Sequence, residues 1–518
     1  MRKFFPVLLF VVSLACGCGK GSVDPTPVTP TAPTSITLSP TSISAEQGAK
    51  SYSLTITAPA RPTLTFPAWI TKTDGTYKDY KITVTLNVAE NDSYEVRSGD
   101  VVVKSTGVAD VTLKVTQAGK TVIPDPTLPD NAAVAQAMKL GLGWNMGNQL
   151  DAIDNGVSGE TVWGNPLCTQ DTFNGVKAAG FTSVRIPVTW MGHIGEAPDY
   201  LIDEDLMERV YKVVGYAENA GLNVILNTHH DEDHGDAHWL NLAGAVNSED
   251  TNTQIKEEIA AVWTQIANKF KDKGEFLVLE SFNELIYGDE WSIGSNPEKK
   301  AGIINEWNQV FVDAVRATGG NNASRWLGVP GYAASPRYLQ YFKLPNDEKK
   351  KVMVSFHCYD PYDFTTRTDK NPNDDVNDGL WVPPADWGHT GTSFPKGEEE
   401  FKELFNNLFN TYTANNTVVY MGEFGCSMRD KKDAKAWDYY LYYLEYVVKA
   451  ARAFGIPAFL WDNGGTDSPG QEHHCYINHG TGQFMKTGED PVKAIVKGWF
   501  TTDKSYTLQS VYDSAPKY

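Results

Sequence analysis

Two hydrophobic periodicities divide the chain. Between residues 35 and 119 apolar and polar positions alternate in short runs: SITLSPTSISA, YSLTITAP, YKITVTLNV, DVVVKS and DVTLKVTQAG. These runs are rich in Val, Ile and Thr and are broken by Gly, Pro, Asn or Asp, the pattern of half-buried strands joined by turns. They predict a small all-β, antiparallel, immunoglobulin-like sandwich of about 85 residues. From residue 131 the period changes. TQIKEEIAAVWTQIANKF sets Ile255, Ile259, Trp263, Ile266 and Phe270 at helical spacing, and AWDYYLYYLEYVVKAARAF does so with Trp437, Leu441, Leu444, Val448 and Phe454. Between such stretches lie eight mostly apolar runs: KLGLGWNMG, FTSVRIP, LNVILNTHH, FLVLESFNE, RWLGVPG, KVMVSFHCY, TVVYMGEFG and IPAFLWD. Apolar on both faces and separated by room for crossover helices, they predict an α/β fold, a (β/α)8 TIM barrel over residues 131–503. A doubly wound open sheet is the alternative, but no Gly-rich phosphate loop follows the first run.

The flanking segments bury little. Residues 1–18 carry Arg2 and Lys3, then an apolar run from Phe4 to Ala15, then Cys16 and Cys18. The apolar run is too short to span a bilayer and reads as a secretory signal. Its end resembles a bacterial lipoprotein processing site, with Cys16 or Cys18 as the lipidated residue. The expected location is the outer membrane, with the chain held by a lipid anchor. The alternative is an ordinary cleaved signal. Residues 19–34 (GKGSVDPTPVTPTAPT) and 120–130 (KTVIPDPTLPD) are Pro-rich linkers, and 504–518 form a C-terminal tail.

Charge narrows the partner. The 45 basic against 64 acidic residues leave a net charge of −19, which disfavours nucleic acid and anionic polymers and leaves a neutral polysaccharide open. Fourteen Trp and 24 Tyr supply flat faces that suit sugar rings, although most belong to the core. Cys168, Cys358, Cys426 and Cys475 lack CxxC spacing, so a structural zinc site is not expected and their pairing stays open.

Polar residues gather where the eight runs end: Asn145 and Asn148, Arg185, His229 and His230, Asn283 and Glu284, His357 and Tyr359, Glu423, and Trp461. In a parallel barrel these ends share one face, the face on which active sites are built. Core packing would have placed Val, Ile or Leu there. Glu284 and Glu423, ending the fourth and seventh runs, would face each other across the barrel mouth. Two such carboxyl groups, one protonated and one ionised, are what glycosidic cleavage requires.

The segments GWNMGNQLDA, VRIPVTW, NTHHDE, ESFNEL, SFHCYDP, GEFG and FLWDNG together resemble glycoside hydrolase family 5, a retaining family. The first and third variants resemble its endo-β-1,4-glucanase and xyloglucanase subgroup. The resemblance implies Glu284 as acid/base and Glu423 as nucleophile. It implies that Asn283 bonds the sugar 2-hydroxyl, Arg185 keeps Glu423 ionised and Tyr359 donates at the nucleophile. His357 and His229 would orient the carboxylates and sugar, Trp461 would floor the cleavage subsite, and Asn148 and His230 would touch substrate. No cofactor or metal is implied, and the expected state is a monomer acting on neutral β-glucan, xyloglucan foremost, with a cellulase or mixed-linkage glucanase of the same family as the alternative and glucomannan also open. The segment HHDEDHGDAH, with His229, His230, His234 and His238, also admits a zinc hydrolase. That reading gives the two glutamates no role, so a polar loop is preferred for His234 and His238. Trp163, Trp239, Trp291, Trp381 and Trp387 are candidates for outlying sugar platforms or for packing. PAWITKT around Trp69 and the closing VTQAG make the sandwich resemble a BACON domain, read here as a spacer rather than a sugar binder. A surface glycan-binding protein without catalysis is the non-enzyme alternative.

Overall fold

A computed structural model of the protein describes residues 30–232, 238–366, 384–391, 397–465 and 474–518. The chain forms two units, Met1–Thr121 and Val122–Tyr518.

In the first unit, strands β1 (Thr37–Ser39), β2 (Ser42–Ala45), β3 (Lys50–Thr57), β4 (Thr63–Thr65), β5 (Ile70–Asp74), β6 (Lys81–Val88), β7 (Arg97–Lys104) and β8 (Val111–Gln117) make two four-stranded sheets. Their orders are β1-β3-β6-β5 and β2-β8-β7-β4. The predicted alternation is visible in β6, where Ile82, Val84, Leu86 and Val88 are buried and the residues between them are not. One pairing departs from the antiparallel expectation: β2 runs parallel to β8. Pro40, between β1 and β2, interrupts what the sequence presents as one run, and the chain resumes in the other sheet. Strands β4 and β5 are absent from the predicted runs because they are short and expose Thr and Asp.

In the second unit eight parallel strands close a barrel: β9 (Leu142–Met146), then, after a two-stranded hairpin of β10 (Ile153–Asp154) and β11 (Val157–Ser158), β12 (Ser183–Ile186), β13 (Asn223–Asn227), β14 (Leu277–Glu280), β15 (Leu327–Pro330), β16 (Val352–Cys358), β17 (Val419–Phe424) and β18 (Ala458–Asp462). Each coincides with one of the eight predicted runs. Strands β9, β12, β14, β15, β16 and β17 are buried at every position, as a sheet covered on both faces requires. Helix Glu249–Lys269 buries Ile255, Ile259, Trp263 and Ile266 along the predicted stripe. Helix Ala434–Ala453 is buried well beyond a single stripe, because helices Glu398–Thr411, Glu489–Phe500 and Leu508–Asp513 all pack against it. The last of these lies within residues 504–518, and Leu508, Val511 and Ala515 are buried. Asp125, in the second Pro-rich segment, accepts from Lys449 Nζ at 2.6 Å and from the Leu508 amide at 2.7 Å. Cys168, Cys358, Cys426 and Cys475 are all buried. Among the described residues no helix is long and apolar enough to cross a membrane. Cys16, Cys18, His234 and Trp381 lie outside the described residues.

Candidate active site

The C-terminal ends of the barrel strands converge on Arg185. Strand β12 is fully buried, and the Arg185 side chain is inaccessible to solvent. Burying a guanidinium demands that its donors be met, and four acceptors meet them. Nε donates to Glu280 Oε2 at 2.7 Å, and Nη1 to Glu423 Oε1 at 2.7 Å and Asn145 Oδ1 at 3.1 Å. Nη2 donates to Asn283 Oδ1 at 2.9 Å. Tyr359 donates its hydroxyl to the other Glu423 oxygen at 2.9 Å.

Two irregularities aim the carboxylate. The register between β16 and β17 shifts between Phe356 and His357, and that between β17 and β18 shifts between Met421 and Phe424. Such breaks in pairing re-aim side chains beside active sites, and Glu423 lies within the second. Gly422 precedes it because a Cβ there would fall 3.0 Å from both His357 Nε2 and Ser355 Oγ.

Glu284 is set differently. Strand β14 ends at Glu280, so Glu284 stands four residues beyond the strand rather than on its last position. Phe282 and Leu285 are buried on either side of it, and the Leu285 carbonyl accepts from the Ala333 amide at 2.9 Å. The Glu284 side chain is 19% exposed, against 6% for Glu423. His357 Nδ1 lies 2.7 Å from Glu284 Oε1 and 3.7 Å from Glu423 Oε1. One ligand-type atom from each of Glu284, His357 and Glu423 falls within a 4.8 Å span, so the two carboxyl groups face each other closely.

Their environments separate their proton affinities. Burial pushes Glu284 up to about 7, with only the more distant Arg185 charge opposing it. Burial also raises Glu423, but the hydrogen-bonded Arg185 pulls it back. With two donors on Glu423 and none of them on Glu284, the shared site holds its proton on Glu284. Burial lowers His357 to about 4 and His229 well below the usual imidazole range, so both rings are neutral at pH 7. Asn227 Nδ2 donates to His229 Nδ1 at 3.2 Å, which leaves Nε2 as the protonated nitrogen, 4.0 Å from Glu423 Oε1.

The aromatic side of the site is built on β18. Trp461 pairs in register with Asn145 and stacks parallel to His229 at 5.7 Å between ring centroids. Gly147 admits the indole, since a Cβ there would stand 2.5 Å from the ring. His230 packs edge-on to His229 at 4.5 Å, and Trp163, 45% exposed, lies 5.7 Å beyond it with Nε1 donating to the Ile153 carbonyl. Asn148 has a left-handed backbone, φ 54°, and its amide donates to Asp151 Oδ2 at 3.0 Å. Trp291 is exposed, Trp239 is half-buried with Nε1 donating to Asp231, and Trp387 is wholly buried among Phe364, Phe401 and Tyr443. Trp387 therefore packs the core and offers no platform.

Asp151, His229 and His230 form a second group whose ligand-type atoms lie within 4.8 Å. Its capacity for a cation is already drawn upon. Both Asp151 oxygens accept backbone amides, from Gln149 and Asn148, and His229 Nδ1 accepts from Asn227. Sequence reasoning missed Glu280, Asn227, Ser355 and Tyr420, which hold the network from beneath. A charged residue closing the otherwise apolar run FLVLE was the available signal.

The profile described as "Cellulase (glycosyl hydrolase family 5)" matches residues 148–467, and that described as "Putative binding domain, N-terminal" (BACON) matches residues 66–118. The chain thus belongs to glycosyl hydrolase family 5 and is a glycoside hydrolase carried on a TIM barrel behind a BACON domain. Endoglucanase A of Paenibacillus barcinonensis is 36% identical over 345 residues, 63% of this chain and 81% of the relative. The xyloglucan-specific endo-beta-1,4-glucanase BoGH5A of Bacteroides ovatus is 32% identical over 429 residues, 78% and 82% of the two chains. The solved structure of a Bacteroidetes-affiliated GH5 cellulase linked with a polysaccharide utilization locus superposes with a TM-score of 0.69 at 44% identity, covering 75% of this chain and 98% of that one.

Proposed function

We propose that the protein is a retaining endo-β-1,4-glucanase acting on a neutral plant β-glucan, with xyloglucan the preferred substrate. The observation that carries the mechanism is the close approach of Glu284 and Glu423, with ligand-type atoms inside one 4.8 Å span. A retaining pair stands about 5–5.5 Å apart, whereas an inverting pair needs about 6.5–9.5 Å to admit water.

In the first half-reaction a Glu423 oxygen attacks the anomeric carbon. The glycosidic bond breaks toward the leaving oxygen, which takes the Glu284 proton. In the second, water attacks the same carbon, gives its proton to Glu284, and the ester electron pair returns to Glu423. Asn283, held by Arg185, reaches the sugar 2-hydroxyl; Tyr359 donates at the nucleophile; Trp461 with His229 stacks on the sugar in the cleavage subsite. His230, Asn148 and Trp163 continue the surface toward further sugars. Xyloglucan is favoured by the likeness to the Bacteroides ovatus enzyme, whose match covers 78% of this chain against 63% for the Paenibacillus barcinonensis enzyme.

The N-terminal sandwich serves as a spacer behind a lipidated Cys16 or Cys18, holding a monomeric enzyme at the outer membrane. Trp69 supports the spacer reading: it packs on the sandwich core and the Arg97 guanidinium lies 4.5 Å over its ring, where a sugar would have to sit. Retention of residues 35–119 on xyloglucan or cellulose would defeat it. Release of reducing ends from a panel of soluble β-glucans tests the activity. The highest kcat/KM is expected on xyloglucan, and a panel without release would instead favour a glycan-binding protein.

A further inference from the structure

Glu280 lies beneath the two catalytic glutamates, out of reach of any sugar. It is wholly buried, yet its carboxylate is held by four side chains from four strands. Arg185 Nε and Asn227 Nδ2 donate to Oε2 at 2.7 and 3.0 Å; Tyr420 and Ser355 donate their hydroxyls to Oε1 at 2.6 and 2.8 Å. Room for Tyr420 is made by Gly328 on β15, where a Cβ would lie 2.2 Å from the phenolic oxygen. A buried carboxylate with this many donors is fixed in the ionised state, and its affinity for protons is lowered accordingly.

The consequence concerns Arg185. Its guanidinium is shared between Glu280 and Glu423, at 2.7 Å each. When Glu423 becomes a glycosyl ester it loses its charge, and a buried guanidinium without a counter-ion is strongly destabilising. When Glu423 is a free carboxylate, an undivided guanidinium would hold it too firmly to attack. A standing second anion relieves both problems.

We infer that Glu280 is a positioning residue whose charge keeps Arg185 neutralised throughout turnover, and so sets the balance between formation and hydrolysis of the glycosyl-enzyme. The inference rests on the double-displacement reading above. Every charged or titratable group facing Glu423 has to enter this balance: Arg185 from β12, Glu280 and Glu284 from β14 and its loop, His229 after β13, His357 from β16 and Tyr359 just after it, Tyr420 from β17 and Asp151 after β9. His229 and His357 are neutral, so Arg185 and Glu280 are the fixed charges beside the reacting pair.

The test compares Glu280→Gln and Tyr420→Phe with the unaltered enzyme, using an aryl cellobioside and following kcat/KM against pH. In Glu280→Gln, Arg185 serves Glu423 alone. The acid limb moves down by roughly one unit, glycosylation slows, and hydrolysis of a trapped 2-deoxy-2-fluoro glycosyl-enzyme quickens. In Tyr420→Phe, Glu280 loses a neutral donor and draws more on Arg185, so the acid limb moves up. A role confined to packing would lower rates without moving the limbs in opposite directions. Unmoved limbs in both folded variants, or shifts of the same sign, overturn the inference. Should Glu280→Gln not fold by its thermal transition, the direction of the Tyr420→Phe shift decides alone. Should the unaltered enzyme form no covalent adduct with the fluoro-glycoside, the double displacement fails first, which separates the two failures.

Discussion

His357 Nδ1 stands 2.7 Å from Glu284 Oε1 on one side and 3.7 Å from Glu423 Oε1 on the other. The ring is neutral, so it divides the two carboxyl groups without adding charge. In the proposed mechanism it positions Glu284 for proton transfer through this contact. His357→Ala removes the bond and opens the site to solvent. Activity on polysaccharide should fall by about 100-fold or more, within the range that general acid–base catalysis supplies. The basic limb of the pH profile should also move down toward an ordinary carboxyl value. Steady-state kinetics across pH checks both.

The pH dependence of the unaltered enzyme follows from Glu284. Donation to the leaving oxygen requires the protonated form, and burial raises this carboxyl to about 7. Activity is therefore expected to hold below that value and to decline as pH rises through it. In Glu284→Gln, assayed on an aryl glycoside whose leaving group needs no proton, the basic limb should vanish from the glycosylation step. A limb that persisted would assign the ionisation to another group.

Gly147 is predicted to be intolerant of the smallest side chain. Its Cβ would lie 2.5 Å from the Trp461 indole, and rigid overpacking of this kind costs about 1–3 kcal/mol. Since the indole forms the exposed side of the contact, displacement should cost binding more than folding. Gly147→Ala should raise KM severalfold while its melting transition stays near that of the unaltered enzyme. A large fall in melting temperature with unchanged KM would place the strain in the barrel instead.

Metal removal distinguishes the glutamate pair from the histidine cluster. Asp151, His229 and His230 stand close enough to share a cation, but both Asp151 oxygens and His229 Nδ1 already accept protein donors. Activity should survive prolonged chelation. Complete loss, restored by zinc, would transfer the chemistry to that cluster.

The barrel was legible because its strands are apolar on both faces and its helices are not, so all eight runs matched strands. Smaller features were not legible. Strands β4 and β5 lacked apolar alternation, and the parallel pairing of β2 with β8 depends on a crossing at Pro40 that periodicity does not encode. In the site, Arg185, Asn283, Glu284, His357, Tyr359 and Glu423 stood out because polar groups at or just beyond the ends of buried strands need a reason. Glu280, Tyr420 and Ser355 sit deeper within the barrel and resemble ordinary strand positions in sequence. Their partnership depends on inward-facing side chains from β14, β16 and β17 meeting at one level, which only the closed sheet establishes. Trp387 shows the converse: an aromatic in a polar loop sequence turned out to be core because Phe364, Phe401 and Tyr443 enclose it.

The central claim is that Glu284 and Glu423 act on the same glycosidic bond, Glu284 at the leaving oxygen and Glu423 at the anomeric carbon, from a spacing that leaves no room for an attacking water in the first step. The anomeric configuration of the first product reports this most directly. Proton NMR during early hydrolysis of a soluble β-glucan should show the β-anomer at the new reducing end first, with the α-anomer growing in only by mutarotation. An α-anomer appearing first would mean inversion and would contradict the account.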